Sequence, residues 1–464
     1  MRVVLVDFNI SFYDRHWAFV LTSTLRKCGI TDVHYINFPA KPRYIKKLAA
    51  LKPDLVLYSV FSYAVTDSIN FDAGLKSVHP CKSILGGPGA TFFDIDITKT
   101  AFDAICVGEG EEALKDYFAS GFKAGANLIT RDKLNFTPAP LVDLAQEPMP
   151  DRTIVYRDDH LLRDISSRAF MSGRGCPYHC TYCFNHIFNK IFGTKIRKYP
   201  VPMLIEEIEY VRDRYGLRFI LFQDDTFCID KKWLAEFSDI YSRKVGIPFS
   251  CNIRANLMDE ETAILLKNAG VRAVSWSIES ANDHLRDDVL KRNITKAQID
   301  NTSRILQKHK IIYRIANIIG IPGETRDQVE ETIDYNVKIG SAFTSANIFT
   351  PYPKLELTQY AIEYGHLSAA CDNIPPNFFR KSILKVDHKF KRFLTKTFCL
   401  IPFFVWFPAL WRNKFLRRLL YGVNRYILRM IYEIIYLISI KAIYGLKISP
   451  GVSLRMAWRY LVAL

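Results

Sequence analysis

Acidic residues are nearly missing from the end of this sequence. From Arg380 to Leu464 there are 2 Asp and Glu against 17 Lys and Arg. The whole chain holds 63 basic and 47 acidic residues, so its formal charge of +16 resides almost entirely in that tail. A nucleic-acid groove spread over the main body is therefore not expected. An apolar run able to cross a bilayer is lacking as well. Phe398 to Leu410 would span about 20 Å as a helix, against about 30 Å of hydrocarbon. The later stretch beginning at Arg425 is interrupted by Arg429 and Glu433. The opening residues show no apolar segment followed by a small-residue cleavage site, which predicts a cytoplasmic protein. Ten cysteines among 464 residues are too few for a disulfide scaffold, and in a reducing compartment clustered thiols point to metal or catalysis.

What is present is a repeated alternation. "RVVLVDF", "DVHYINF", "DLVLYSV", "KSILGG" and "DAICVGEG" read as five strands, and the segments between them carry helical periodicity. Strand–helix alternation predicts a parallel sheet covered by helices, with ligands beyond the carboxyl ends of the strands. Two Gly-rich turns sit at such ends, "GGPGAT" from Gly86 and "VGEGEEAL" from Val107. A Pro-bearing, aperiodic stretch from Asn135 to Tyr156 reads as a surface linker. A second series follows: "RAFMSG", "RFILFQDD", "IPFSCNIR", "VRAVSWSIES", "IIYRIANIIG" and "SANIFTPYP". Six βα units predict a partial (β/α)6 barrel of TIM type. The expected divisions are 1–134, a linker at 135–165, the barrel at 166–360 and a helical, basic and apolar tail at 361–464.

The chemistry centres on "GRGCPYHCTYCFN", where Cys176, Cys180 and Cys183 are spaced C-x3-C-x2-C. Closely spaced thiolates converge on a soft metal centre. One reading is structural zinc, but such sites use four protein ligands and no fourth Cys or His stands at a matching spacing. His179 and His186 lie nearby, the former inside the first loop. The other reading is a [4Fe–4S] cluster with one iron left open.

Three cysteines at this spacing, at the start of a (β/α) barrel and with Tyr182 before the last, resemble the radical S-adenosylmethionine (SAM) superfamily. The resemblance implies that the open iron chelates SAM and that the reduced cluster cleaves it to a 5′-deoxyadenosyl radical. It extends along the chain. "FQDDTF" offers Asp224 and Asp225 as acceptors for the cofactor ammonium. "CNIRAN" offers Arg254 for its carboxylate. "SWSIESAN" offers Glu279 for the ribose, with Ser277 and Ala281 where the family has glycine. "IIGIPGET" places Gly320, Pro322 and Glu324 at the turn that lines the adenine. A parallel domain ahead of the barrel is similar to the cobalamin-binding domain of class B radical methyltransferases. Gly86, Gly87, Gly108, Glu109 and Gly110 would then lie against the corrin. Cobalt-ligating members carry D-x-H-x-x-G. Here Asp14 and His16 match, but Phe19 replaces the glycine, so the alternative for Asp14 is an ordinary helix cap.

The implied activity is methyl transfer to an unactivated carbon of a lipid-like or other small hydrophobic substrate. The one-electron donor would be a flavodoxin or ferredoxin. A non-methylating rearrangement, cyclisation or C–C coupling is the alternative, and a zinc-containing membrane-surface binding protein is the alternative of another class. The basic, aromatic tail reads either as an anchor on the inner face of the membrane or as a helical cap on the barrel.

Overall fold

The computed structural model describes residues 1–9, 13–123, 125–368, 382–444, 451 and 455. The chain forms two compact units. One comprises Met1–Met171, Ile187–Leu217 and Ile448–Leu464, and the other Ser172–His186 and Arg218–Lys447.

In the first unit the five expected strands form: β1 (Arg2–Asp7), β2 (Asp32–Asn37), β3 (Leu55–Ser59), β4 (Lys82–Gly86) and β5 (Ala104–Cys106). They are joined by β6 (Leu128–Thr130), giving the order β2-β1-β3-β4-β5-β6. The first five are parallel, with Val3 opposite Val33 on one side and Leu55 on the other. β6 runs antiparallel to β5. Its three residues are too short for any periodicity to announce it. The strands are apolar on both faces because helices cover both.

The last part of the segment expected to be a surface linker is instead part of this core, while residues 135–150 are irregular and only partly buried. It contains helices Thr153–Asp158 and His160–Asp164, and Ile154, Val155 and Tyr156 pack into the cluster that holds Val3, Phe19 and Leu57. Beside them Arg152 is fully buried. Its guanidinium contacts Asp14 at 3.3 Å and Glu207 at 2.9 Å, donates to the Ala169 carbonyl at 2.9 Å, and lies over the Phe170 ring at 4.1 Å. Asp14 also accepts from the Tyr156 hydroxyl and the Ala169 N–H, both at 2.8 Å. Burial pushes the Glu207 carboxyl above its usual range, against the lowering pull of Arg152. A charge this deep persists because every oxygen and N–H around it is paired.

All six segments of the second series are strands: β7 (Ser167–Phe170), β8 (Phe219–Phe222), β9 (Phe249–Asn252), β10 (Val271–Glu279), β11 (Ile312–Ile319) and β12 (Phe343–Ile348). In the second unit β8 to β12 are parallel neighbours in chain order. The sheet is open: no pairing closes it into a barrel among the described residues. Thr325 and Gln328 form a reciprocal capping box that starts helix Arg326–Ile339 directly after the "IPGE" turn.

The tail divides in two. Helix His388–Trp406 runs through Pro402 and buries Leu394, Phe398, Leu400, Ile401 and Phe404 against β11, β12 and helix Arg326–Ile339. The apolar run from Phe398 is thus core for most of its length and not interfacial; Pro408 begins a new short helix, Pro408–Arg412. Helices Lys414–Gly422 and Arg425–Tyr444 follow. No helix among the described residues is long and apolar enough to cross a membrane.

Candidate active site

The carboxyl ends of β8, β9 and β10 and the cysteine loop enclose a cavity of ≈ 290 Å³. Cys176, Cys180 and Cys183 line it, none of them in a disulfide. Among the described residues no three His, Cys, Asp or Glu side chains stand close enough to share one ion. The thiols surround a space, an arrangement that suits ligands of different irons in one cluster. Burial raises the Cys176 thiol above its ordinary value and pushes Cys183 up to about 12. Loading a metal here therefore expels protons as the thiolates form.

Around the thiols stand groups from successive strand ends. Asp225 follows β8 and lines the cavity; burial raises its carboxyl, and a hydrogen bond with Asn185 opposes the shift. Asp224, its neighbour, points elsewhere. Its oxygens accept from the Ser172 N–H at 2.9 Å and hydroxyl at 2.6 Å, fixing the start of the cysteine loop to β8.

Arg254, after β9, pairs with neither aspartate. Its guanidinium lies 3.6 Å from the centre of the Tyr178 ring, donates to the Arg292 carbonyl, and reaches Cys180 Sγ at 3.7 Å. Glu279, at the end of β10, has φ = +67°, a left-handed backbone that costs a non-glycine residue about 1 kcal/mol or more. The register against β11 shifts between Ser277 and Glu279, and Glu279 lines the cavity on the same side of the strand as Ser277. There Glu279 accepts from the Tyr182 hydroxyl at 3.0 Å.

The sequence reading missed Arg292. It donates to the Tyr182 hydroxyl at 3.0 Å and to Ser277 Oγ at 2.6 Å, and approaches Cys180 Sγ at 3.9 Å. It lies in an irregular loop between Lys291 and Asn293, both left-handed, where no periodicity marks it. Ser277, at a position where the family carries glycine, is its anchor. Trp276 also lines the cavity. The buried Nε atoms of Arg254 and Arg292 and Nε1 of Trp276 meet no acceptor among the described residues. The buried guanidinium groups of Arg254 and Arg292 beside the thiols fit a ligand with a carboxylate, as SAM has.

Gly320, Pro322 and Glu324 are not among the cavity-lining residues. Gly320 has φ = +70°, and a Cβ there would stand 2.8 Å from Leu394 of the tail helix. Glu324 turns back on its own loop and accepts from the Gly320 N–H at 2.5 Å and the Ile321 N–H at 3.2 Å. Burial pushes its carboxyl up to about 8.

In the first unit Gly86–Gly87 and Gly108–Gly110 do sit at the ends of β4 and β5. Gly87 (φ +88°) cannot carry a Cβ, which would fall 2.8 Å from the Val60 nitrogen. Glu109 is held by Arg197 at 2.7 and 2.9 Å. His16 begins helix His16–Lys27 and is half-buried, whereas Asp14 does not cap that helix but belongs to the Arg152 network. Phe19 is fully buried in the core.

Residues 170–335 match the Radical SAM superfamily, so the three thiols open a radical SAM domain. Residues 2–118 match the B12 binding domain. The chain is 29% identical over 341 residues to the uncharacterised methyltransferase PH0819 of Pyrococcus horikoshii, covering 70% of this chain and 72% of that protein. It is 26% identical over 373 residues to the anaerobic magnesium-protoporphyrin IX monomethyl ester cyclase of Cereibacter sphaeroides, covering 74% and 59%. In fold it is similar to the radical SAM methyltransferase TsrM of Kitasatospora setae (TM-score 0.66, 16% identity, 80% and 79% covered). It is also similar to the cobalamin-dependent radical enzyme OxsB (TM-score 0.62, 16% identity, 78% and 55% covered).

The chain therefore carries a radical SAM domain behind a B12-binding domain. The two domains imply a [4Fe–4S] cluster, SAM and cobalamin as cofactors. The zinc-protein alternative falls with the radical SAM domain.

Proposed function

We propose that this chain is a cobalamin-dependent methyltransferase that alkylates an unactivated carbon of a hydrophobic, lipid-like small molecule. The observation that carries the reading is the cavity wall: three thiols, none in a disulfide, beside two buried guanidinium groups that no carboxylate neutralises among the described residues. In this reading Cys176, Cys180 and Cys183 hold three irons of the cluster. When bound, the cofactors supply reductive cleavage of SAM and delivery of a methyl group. The chain's own residues do the placing. Arg254 and Arg292 take the cofactor carboxylate, Asp225 accepts from its ammonium, and Glu279, steadied by Tyr182, accepts from the ribose. Asp224, Gly320, Pro322 and Glu324 act at one remove by shaping the loops. The turns at Gly86–Gly87 and Gly108–Gly110 hold cobalamin through backbone, with no histidine ligand, because Asp14 is committed to Arg152.

An external flavodoxin or ferredoxin supplies the electron, and the basic tail meets the inner face of a membrane. Anaerobic reconstitution with SAM and dithionite tests the chemistry. The expected result is 5′-deoxyadenosine, a corrin spectrum and a product with one added methyl. A product with unchanged carbon count would favour cyclisation or rearrangement, a second reading that the likeness to the cyclase supports. Absence of 5′-deoxyadenosine would sink both.

A further inference from the structure

Helix Arg425–Tyr444 is apolar nearly all the way round. One face buries Leu428, Ile435, Ser439 and Ile443, packing near Phe219, Ala273 and Phe343 at the strands of the second unit. The other presents Ile427, Met430, Ile434, Leu437 and Ile438, exposed by 52–65%. Their spacing of three and four residues makes them one stripe. The preceding helix Lys414–Gly422 adds Phe415 at 74% and Leu419 at 60%, one turn apart. A monomer seldom exposes so many large apolar side chains together without a use for them.

The charge around this stripe selects its partner. Between Phe407 and Tyr444 stand seven basic residues and one acidic residue, Glu433. Arg412, Lys414, Arg418, Arg425, Arg429 and Lys441 are exposed. Pairing two copies of the chain through this face would bring the cations together. A surface that is negative and also admits apolar side chains meets both demands. Because no helix among the described residues can span a bilayer, the contact lies in the headgroup plane.

We propose that the outer face of helices Lys414–Gly422 and Arg425–Tyr444 docks on an anionic phospholipid bilayer. Ile427, Met430, Ile434 and Leu437 enter the acyl boundary, and Lys441 within the same stripe and Arg418 beside Leu419 meet the phosphates. This rests on the membrane part of the functional reading and not on the radical chemistry.

The test is flotation of the full, reconstituted enzyme with vesicles of phosphatidylcholine alone or mixed with phosphatidylglycerol. Binding is expected to the mixed vesicles, weak to phosphatidylcholine, and falling with salt. Ile434→Glu/Leu437→Glu is expected to weaken it on the order of tenfold or more. Arg418→Gln/Lys441→Gln should abolish the preference for phosphatidylglycerol. Both variants should still cleave SAM, which certifies that they fold. The proposal is overturned if the enzyme ignores the mixed vesicles, if Ile434→Glu/Leu437→Glu binds them like the parent, or if that variant instead splits a dimer. Loss of SAM cleavage in the parent would strike the chemical reading and leave the vesicle result standing.

Discussion

The two units treat charge at their strand ends in opposite ways. In the first, the buried guanidinium groups of Arg152 and Arg197 are neutralised internally, by Asp14 and Glu207 and by Glu109. In the second, Arg254 and Arg292 are also buried, yet neither forms an ion pair with a carboxylate among the described residues. The same alternation of strand and helix builds both. The mark of the binding cavity is therefore a buried cation without its counter-charge, which is costly until a ligand supplies one.

The strongest test of this contrast is at the thiols. Cys180→Ala should remove most iron and sulfide from the reconstituted enzyme and reduce 5′-deoxyadenosine to background, as chromatography would show. Next is the paired side: Arg152→Leu leaves Asp14 and Glu207 buried without their cation and should cost about 3–5 kcal/mol in denaturant unfolding. If it costs under 1 kcal/mol, the first unit's charges are not committed as described. On the unpaired side, Arg292→Gln should weaken SAM binding by roughly 10- to 100-fold, measured anaerobically by calorimetry, with little change in unfolding midpoint.

Glu324 sharpens the picture through pH. Its folded carboxyl titrates near about 8 against an ordinary 4.5, so the folded state holds the proton longer than the unfolded chain. Stability should fall as pH rises through that window and level off above it, by at most about 1.4 kcal/mol per pH unit. Glu324→Gln keeps an acceptor for Gly320 and Ile321 but cannot ionise. Its melting temperature should exceed the parent's near pH 8 and converge with it toward pH 4.5. The smallest effect is expected at His16: His16→Ala should leave the spectrum of bound cobalamin unchanged.

Much of this was legible in the sequence, and the rest for physical reasons was not. The strands announced themselves as apolar runs, and the thiols by spacing. Tyr182 was picked out by the cysteine motif, and Asp225, Arg254 and Glu279 by the family resemblance at successive strand ends; all four line the cavity. What escaped depends on distant partners. Asp14 reads as a helix cap until Tyr156, 142 residues away, is placed beside it. Arg292 sits in a loop without periodicity, and its role exists only once Ser277 and Tyr182 are near. Pro402 is of a residue type that breaks most helices, but the helix His388–Trp406 absorbs it within a buried face.

The placement of Glu279 also limits how β10 can vary. Alternate residues of a strand face opposite sides, so Glu279 shares the cavity side with Ser277 and Ile278 takes the other. Side chains along β10 can be exchanged one for another with their direction preserved. Gaining or losing a single residue there would swing Glu279 to the helix-covered side and bring Ile278 to the mouth of the cavity, so the count of residues in that strand, more than their identities, keeps an acid where Tyr182 can reach it.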